Sequence, residues 1–339
     1  MTAAVIFGCA GTELTPNERD FFRETRPLGF ILFARNIVGP DQLVRLTGQL
    51  RDSIDDPAAP ILIDQEGGRV QRLRPPHWRA APPAERFGQL ASGDLAAGCR
   101  AVKLNHRLIA AELTALGIDV DCAPLIDIRV PGAHDVIGDR AYGGEPELVA
   151  ILGRAAAEGL LEGGVMPIIK HIPGHGRSMV DSHHDLPRVA AGRAELSATD
   201  FRPFHALNDI PWAMTAHIVY EAIDADSPAT LSTKVIADVI RGEIGFDGLL
   251  LTDDLSMKAL NGKLGDLAQR SLTAGCDVVL HCNGDMAEMR QVAAGAAPLS
   301  PAAKARYERG QDKRERARLA SASTSDMAAL RDELTRLIA

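Results

Sequence analysis

Eight short apolar runs, each about the length of one strand, constrain this chain more than any other feature. They are Ala3–Cys9, Gly29–Ala34, Pro60–Asp64, Val120–Asp127, Val165–His171, Trp212–Ile218, Gly248–Asp253 and Cys276–Cys282. A strand that is apolar along nearly its whole length is buried on both faces, as strands of a parallel sheet are. The stretches between the runs have helical character. Asp41–Ser53 follows Gly39-Pro40, Asp94–Leu116 stops at Gly117, and Pro146–Glu162 stops at Gly163-Gly164. Glycine is a common helix terminator because it accepts the left-handed backbone. Ala194–Asn208, Thr233–Glu243 and Leu264–Ala274 continue the alternation. Strand and helix in turn, eight times over, predict an α/β fold: a single-domain (β/α)8 TIM-type barrel. A doubly wound open sheet would need a phosphate-binding glycine turn after its first strand. Gly8-Cys9-Ala10-Gly11 matches that poorly.

The barrel domain is expected to take in residues 1–339. Its C-terminal helical segment, from about 296 to 339, would pack on it or trail from it. Lys304–Arg318 mixes Arg, Lys and Glu at helical spacing and reads as a solvated helix face. Pro75–Pro83 reads as a loop of the third βα connection.

Composition narrows the function classes. Of 339 residues, 46% are apolar and 24% charged, which excludes extensive disorder. The net charge of −8 argues against a nucleic-acid partner bound through general basic charge. No apolar run approaches the ~20 residues of a membrane span, so no membrane partner is expected. Cys9, Cys99, Cys122, Cys276 and Cys282 include no C-x-x-C pair and read as reduced core residues. The first residues lack a basic n-region followed by an apolar core. A cytoplasmic, monomeric protein is the expectation.

Barrel enzymes build their sites at the C-terminal ends of the strands. Here those ends are polar: Asp64-Gln65-Glu66-Gly67-Gly68-Arg69, then Asp127, Lys170-His171, His217 and Asp253-Asp254. One ionisable strand end could simply meet solvent. Five would converge on a single mouth. Glu66 and Arg69 are candidates for an internal pair beneath it. The densest segment, Lys170–Pro187, holds four of the ten histidines within 14 residues, and its glycines and proline mark it as a loop. Asp181 and His183 stand two apart, on one side of an extended chain. A carboxylate beside an imidazole fixes its tautomer and suits it to proton transfer near neutral pH. Asp185 has the same spacing from His183, so spacing leaves the partner open.

These residues resemble glycoside hydrolase family 3, in its bacterial β-N-acetylglucosaminidase branch. The carrying motifs are I-D-Q-E-G-G-R-V-Q-R (Ile63–Arg72), A-P-L-I-D-I (Ala123–Ile128), I-G-D-R-A-Y (Ile137–Tyr142), K-H-I-P-G-H-G (Lys170–Gly176), D-S-H-H-D-L-P (Asp181–Pro187) and G-F-D-G-L-L-L-T-D-D-L-S-M (Gly245–Met257). With flanking segments the resemblance covers about residues 3–290. It implies Asp253 as the nucleophile, His183 as the general acid/base and Asp181 as the partner of His183. It implies that Asp64, Arg72, Arg140, Lys170 and His171 hold an N-acetylglucosamine unit. The implied activity is a retaining exo-β-N-acetylglucosaminidase acting on N-acetylglucosamine linked β-1,4 to 1,6-anhydro-N-acetylmuramic acid, with or without peptide, in cell-wall recycling. Its partner is then a small saccharide or muropeptide. No cofactor and no metal are implied.

Two other activities suit the same residue types. A metal-dependent barrel hydrolase could draw on His171, His175, Asp181, His183, His217 and Asp253. A glycoside phosphorylase would use phosphate in place of water, since an imidazole repels phosphate less than a carboxylate does.

Overall fold

The apolar runs close into a ring. In the computed structural model, which describes residues 1–178, 186–321 and 326–339, eight parallel strands form a barrel. They are β1 (Ala3–Gly8), β2 (Pro27–Leu32), β3 (Ile61–Ile63), β4 (Val120–Asp121), β5 (Met166–Ile172), β6 (Trp212–Thr215), β7 (Leu249–Asp254) and β8 (Val278–His281). Each strand pairs with its neighbours in the chain, and β8 returns to β1 through Val5–Val279 and Phe7–His281. The (β/α)8 expectation is met. β4 is shorter than the run Val120–Asp127. Pro124 has no amide to give the ladder, and a bridge from Leu125 to Lys170 keeps the chain beside β5 past it.

Side chains alternate across each strand, so every strand feeds two cores. Ile6, Ile31, Leu62, Val120, Ile168, Met214, Leu251 and Leu280 belong to the buried cluster that fills the barrel. Their chain neighbours Val5, Phe7, Phe30, Ile61 and Ile63 point outward. They pack with Phe21 and Phe22 of the helix Pro16–Thr25 and with Leu43, Leu46 and Leu50 of the helix Pro40–Ser53. Each such side chain, fully buried, contributes roughly 1.5–3 kcal/mol. The two-sided burial explains why the strands lack the polar alternation of a one-sided sheet.

Two helical expectations change. Ala194–Asn208 is two short helices, Arg193–Ala198 and Arg202–Ala206. Between them, the Thr199 hydroxyl bonds the Glu195 carbonyl and the Asp200 carboxylate, the local competition that Thr and Asp offer a helix. Lys304–Arg318 lies in a helix, Pro301–Ala320, but its charges are not merely solvated. Arg306 pairs with Asp277 at 2.8 Å, Arg309 with Asp247 at 2.9 Å, Lys313 with Asp209 at 3.0 Å and Arg314 with Asp119 at 2.8 Å. Those aspartates precede β8, β7, β6 and β4. The helix therefore lies across the N-terminal end of the barrel. Gly310 lets it approach: a Cβ there would stand 2.8 Å from Trp212 Nε1. The opposite, C-terminal end is left open for the site.

Candidate active site

The site begins where β3 ends. Asp64 is followed by a two-stranded hairpin, Gln65–Gly67 with Val70–Gln71, turned at Gly67 (φ 100°) and Gly68 (φ 56°). A Cβ on Gly67 would meet the Pro82 carbonyl oxygen at 2.4 Å, so the turn requires glycine on two counts. The Gln65 side chain accepts from the Arg72 amide at 2.9 Å and the Leu73 amide at 3.0 Å, closing the hairpin. Arg72 is thereby returned to Asp64, with Nη2 donating to Oδ2 at 2.8 Å.

Lys170, near the end of β5, joins this pair to a second one. Its Nζ lies 2.9 Å from Asp64 Oδ1 and 2.7 Å from Glu66 Oε1. Arg140 grips Glu66 with two parallel bonds, Nε to Oε2 at 2.9 Å and Nη2 to Oε1 at 2.8 Å. The result is a partly buried network of two carboxylates and three cations. Burial works against the Glu66 charge, but Arg140 and Lys170 outweigh it and hold its pKa at about 2. Asp64, opposed by burial and held by Lys170 and Arg72, is also well below the usual carboxylate range. The expected Glu66–Arg69 pair does not form. Arg69 turns outward to Asp139, at 2.8 Å, because Arg140 and Lys170 occupy Glu66.

Asp253 comes from the end of β7. Its Oδ1 accepts from the Asp254 amide at 2.8 Å. Burial would raise its pKa, yet the facing His171 and His217 rings, that amide and Lys170 hold the carboxyl below its ordinary value. It is therefore ionised at neutral pH, as a nucleophile must be. His171 faces it with Nε2 at 4.0 Å from Oδ2. The other nitrogen, Nδ1, is 2.7 Å from Asp127 Oδ2. Asp127 also accepts from the His171 amide at 3.1 Å and the His175 amide at 2.6 Å, which fixes the start of the loop after β5. The His175 ring packs on His171 with centroids 5.3 Å apart. Burial, with His171 beside it, lowers the His175 pKa to about 4 and keeps that ring neutral. Beneath Asp253, His217 Nε2 donates to the Asp254 carbonyl at 3.0 Å, and Nδ1 takes the Thr230 hydroxyl at 2.7 Å. Burial lowers its pKa as well.

Asp64, Arg72, Arg140, Lys170, His171 and Asp253 all line one cleft of about 310 Å³ at the C-terminal end of the barrel. That volume is at the small end of the usual ligand range of ~300–1,000 Å³. Asp181 and His183, with His184 and Asp185, lie outside the described residues. Of the ligands weighed for a metal, His217 has both ring nitrogens committed. No group of three or more His, Cys, Asp or Glu side chains suited to a metal occurs among the described residues. Trp78 does not line this cleft; it packs against the outer core. Trp212 is core.

Two residues that the sequence already marks at polar strand ends have partners it does not reveal. Glu66 bridges Arg140 and Lys170, and Asp127 aims His171. The strand-end position of Asp127 was a signal, but its partner lies 44 residues away. The parallel pairing of β4 with β5 brings the two together.

The C-terminal mouth thus sets the ionised Asp253 beside a carboxylate–cation network, with hydrogen-bond donors and acceptors facing one cleft. The model of the glycosyl hydrolase family 3 N-terminal domain matches residues 17–308. A Beta-hexosaminidase of Alkalilimnicola ehrlichii is 41% identical over 286 residues, covering 82% of this chain and 80% of the relative. One of Bordetella avium is 37% identical over 283 residues, covering 82% and 80%. The crystal structure of NagZ from Neisseria gonorrhoeae in complex with N-trifluoroacetyl-D-glucosamine superposes with a TM-score of 0.87 at 31% identity, covering 100% of this chain and 98% of that one. With the motifs in order on the barrel's strand ends, the chain belongs to glycoside hydrolase family 3.

Proposed function

We propose that this chain is a retaining exo-β-N-acetylglucosaminidase. The observation that carries this is the ionised Asp253 carboxylate, sharing one cleft with Asp64, Arg72, Arg140, Lys170 and His171. The small cleft fits one sugar ring at the end of a chain. The names of the relatives, and the amino-sugar ligand of the Neisseria structure, support N-acetylglucosamine as that ring.

In this reading Asp253 attacks the anomeric carbon. The bond to the leaving oxygen breaks, and a covalent glycosyl-enzyme forms. His183, oriented by Asp181, gives its proton to the leaving oxygen. It then takes a proton from the water that attacks the same carbon and releases Asp253. Asp64 accepts from sugar hydroxyls, while Arg72, Arg140, Lys170 and His171 offer donors. The loop that the glycines and proline of Lys170–Pro187 predict from the sequence would have to bring His183 over the substrate to complete the site. The substrate is a peptidoglycan fragment, N-acetylglucosamine β-1,4-linked to 1,6-anhydro-N-acetylmuramic acid, with or without peptide. The enzyme would act as a cytoplasmic monomer in cell-wall recycling.

The test is to trap the intermediate with a 5-fluoro-N-acetylglucosaminyl fluoride and analyse the peptides by mass spectrometry. The glycosyl mass should appear on the peptide carrying Asp253 and be absent from Asp253→Ala. A label on another side chain would overturn the assignment. Release of sugar 1-phosphate as the main product in phosphate buffer would replace hydrolase by phosphorylase.

A further inference from the structure

We propose that Arg35 determines specificity for the leaving group, receiving a carboxylate carried on that part of the substrate. The inference rests on the function proposed above. Arg35 follows β2 and lines the same cleft as Asp253. Its Nε donates to the Cys9 carbonyl at 3.0 Å, and its Nη2 donates to the Cys282 carbonyl. Cys9 follows β1 and Cys282 follows β8, so the guanidinium is fastened across two strand ends by neutral acceptors. It lies over the Phe33 ring at 5.0 Å, and Arg72 lies over that ring at 5.1 Å.

The charge balance separates Arg35 from the other cations of the cleft. Arg72 and Lys170 have Asp64, and Lys170 and Arg140 have Glu66. Among the described residues, no carboxylate is within ion-pair distance of Arg35. A rigid guanidinium with donors to spare recognises a carboxylate by charge and by its planar fork. N-acetylglucosamine carries no charge, so the anion must belong to the other side of the scissile bond. A lactyl or peptide carboxylate on the second sugar has the required chemistry.

The experiment measures kcat/KM for wild type, Arg35→Gln and Arg35→Lys on three substrates. These are N-acetylglucosaminyl-β-1,4-anhydro-N-acetylmuramic acid, its methyl ester and 4-nitrophenyl N-acetylglucosaminide. Wild type should favour acid over ester, by a ratio that shrinks as salt rises. Arg35→Gln should lose about tenfold to a hundredfold on the acid and stay within about twofold on the other two. Arg35→Lys should keep part of the preference. Equal loss on all three substrates, or an unchanged acid-to-ester ratio, would overturn the proposal. Should wild type cleave the aryl glycoside but neither disaccharide, the peptidoglycan reading fails by itself. The ratio of 4-carboxyphenyl to phenyl N-acetylglucosaminide then tests Arg35 with the same expected and contrary outcomes.

Discussion

The His171 ring stands between two carboxylates, with Nδ1 2.7 Å from Asp127 and Nε2 4.0 Å from Asp253. The first distance is a charge-assisted hydrogen bond and the second is too long for one. Asp127 therefore sets the ring, and the ring faces the Asp253 carboxylate without occupying its oxygen.

Removing the acceptor should let the ring drift. In Asp127→Ala, the His171 amide, its Nδ1 and the His175 amide all lose their partner. Misplacement on that scale should lower kcat on an aryl glycoside roughly tenfold to a hundredfold. The lost bonds should cost about 2–4 kcal/mol of stability. Steady-state kinetics with denaturant unfolding reads both, and an unchanged kcat would rule out a positioning role.

Acid should attack the carboxylate–cation network in a defined window. Glu66 has a pKa of about 2 when folded and 4.5 ordinarily, so the folded state binds fewer protons between those values. Its contribution is present above pH 4.5 and is lost as pH falls toward about 2. Unfolding free energies at pH 5, 4 and 3 should drop less steeply for Glu66→Gln than for wild type. Parallel slopes would show that Glu66 is not ionised through the pair.

Asp121 should show the opposite sign. Burial, with Asp64 and Glu66 nearby, outweighs the Gln65 amide and Lys170 and raises its pKa to about 8. Its contribution is full below the ordinary value of 3.8 and shrinks as pH rises toward 8. Asp121→Asn keeps an oxygen for the Gln65 amide, which Asp121 accepts at 3.0 Å. The variant should gain on wild type between pH 5 and 8, by up to about 1.4 kcal/mol per pH unit. A pH-independent difference would mean that Asp121 is already ionised in the fold.

At the closed end of the barrel, Asp277 is the buried anchor of the helix Pro301–Ala320. It accepts from Arg241 at 2.9 Å, Arg306 at 2.8 Å and the Leu250 amide at 2.9 Å. Asp277→Ala strands the half-buried Arg241 charge and frees the helix. A loss of about 3–5 kcal/mol is expected by denaturant titration, with kcat/KM of the surviving folded enzyme unchanged. A loss below about 1 kcal/mol would put this contact among ordinary surface pairs.

The barrel was legible because burial on both faces leaves its mark on every residue of a strand. Ile6 and Phe7 face different cores, yet both must be apolar. The strand ends were legible too: Asp64, Lys170, His171 and Asp253 are ionisable residues where an apolar run should stop, and they do meet in one cleft. The helix over Ala194–Asn208 misled because the Thr199 hydroxyl bonds the Glu195 carbonyl and the Asp200 carboxylate, and Asp200 is drawn to Arg177.

What the chain order determined, then, is the set of chemical groups and the strand end from which each one springs. What the tertiary structure alone decided is which charge meets which. Glu66 could have paired with Arg69, three residues away, but closure of the ring brought Arg140 and Lys170 to it instead. The basic helix Pro301–Ala320 could have faced water, but four aspartates waited at the barrel's base. Coulomb attraction and hydrogen bonding act over a few ångströms. Those distances are set by the barrel's closed geometry and not by separation along the chain.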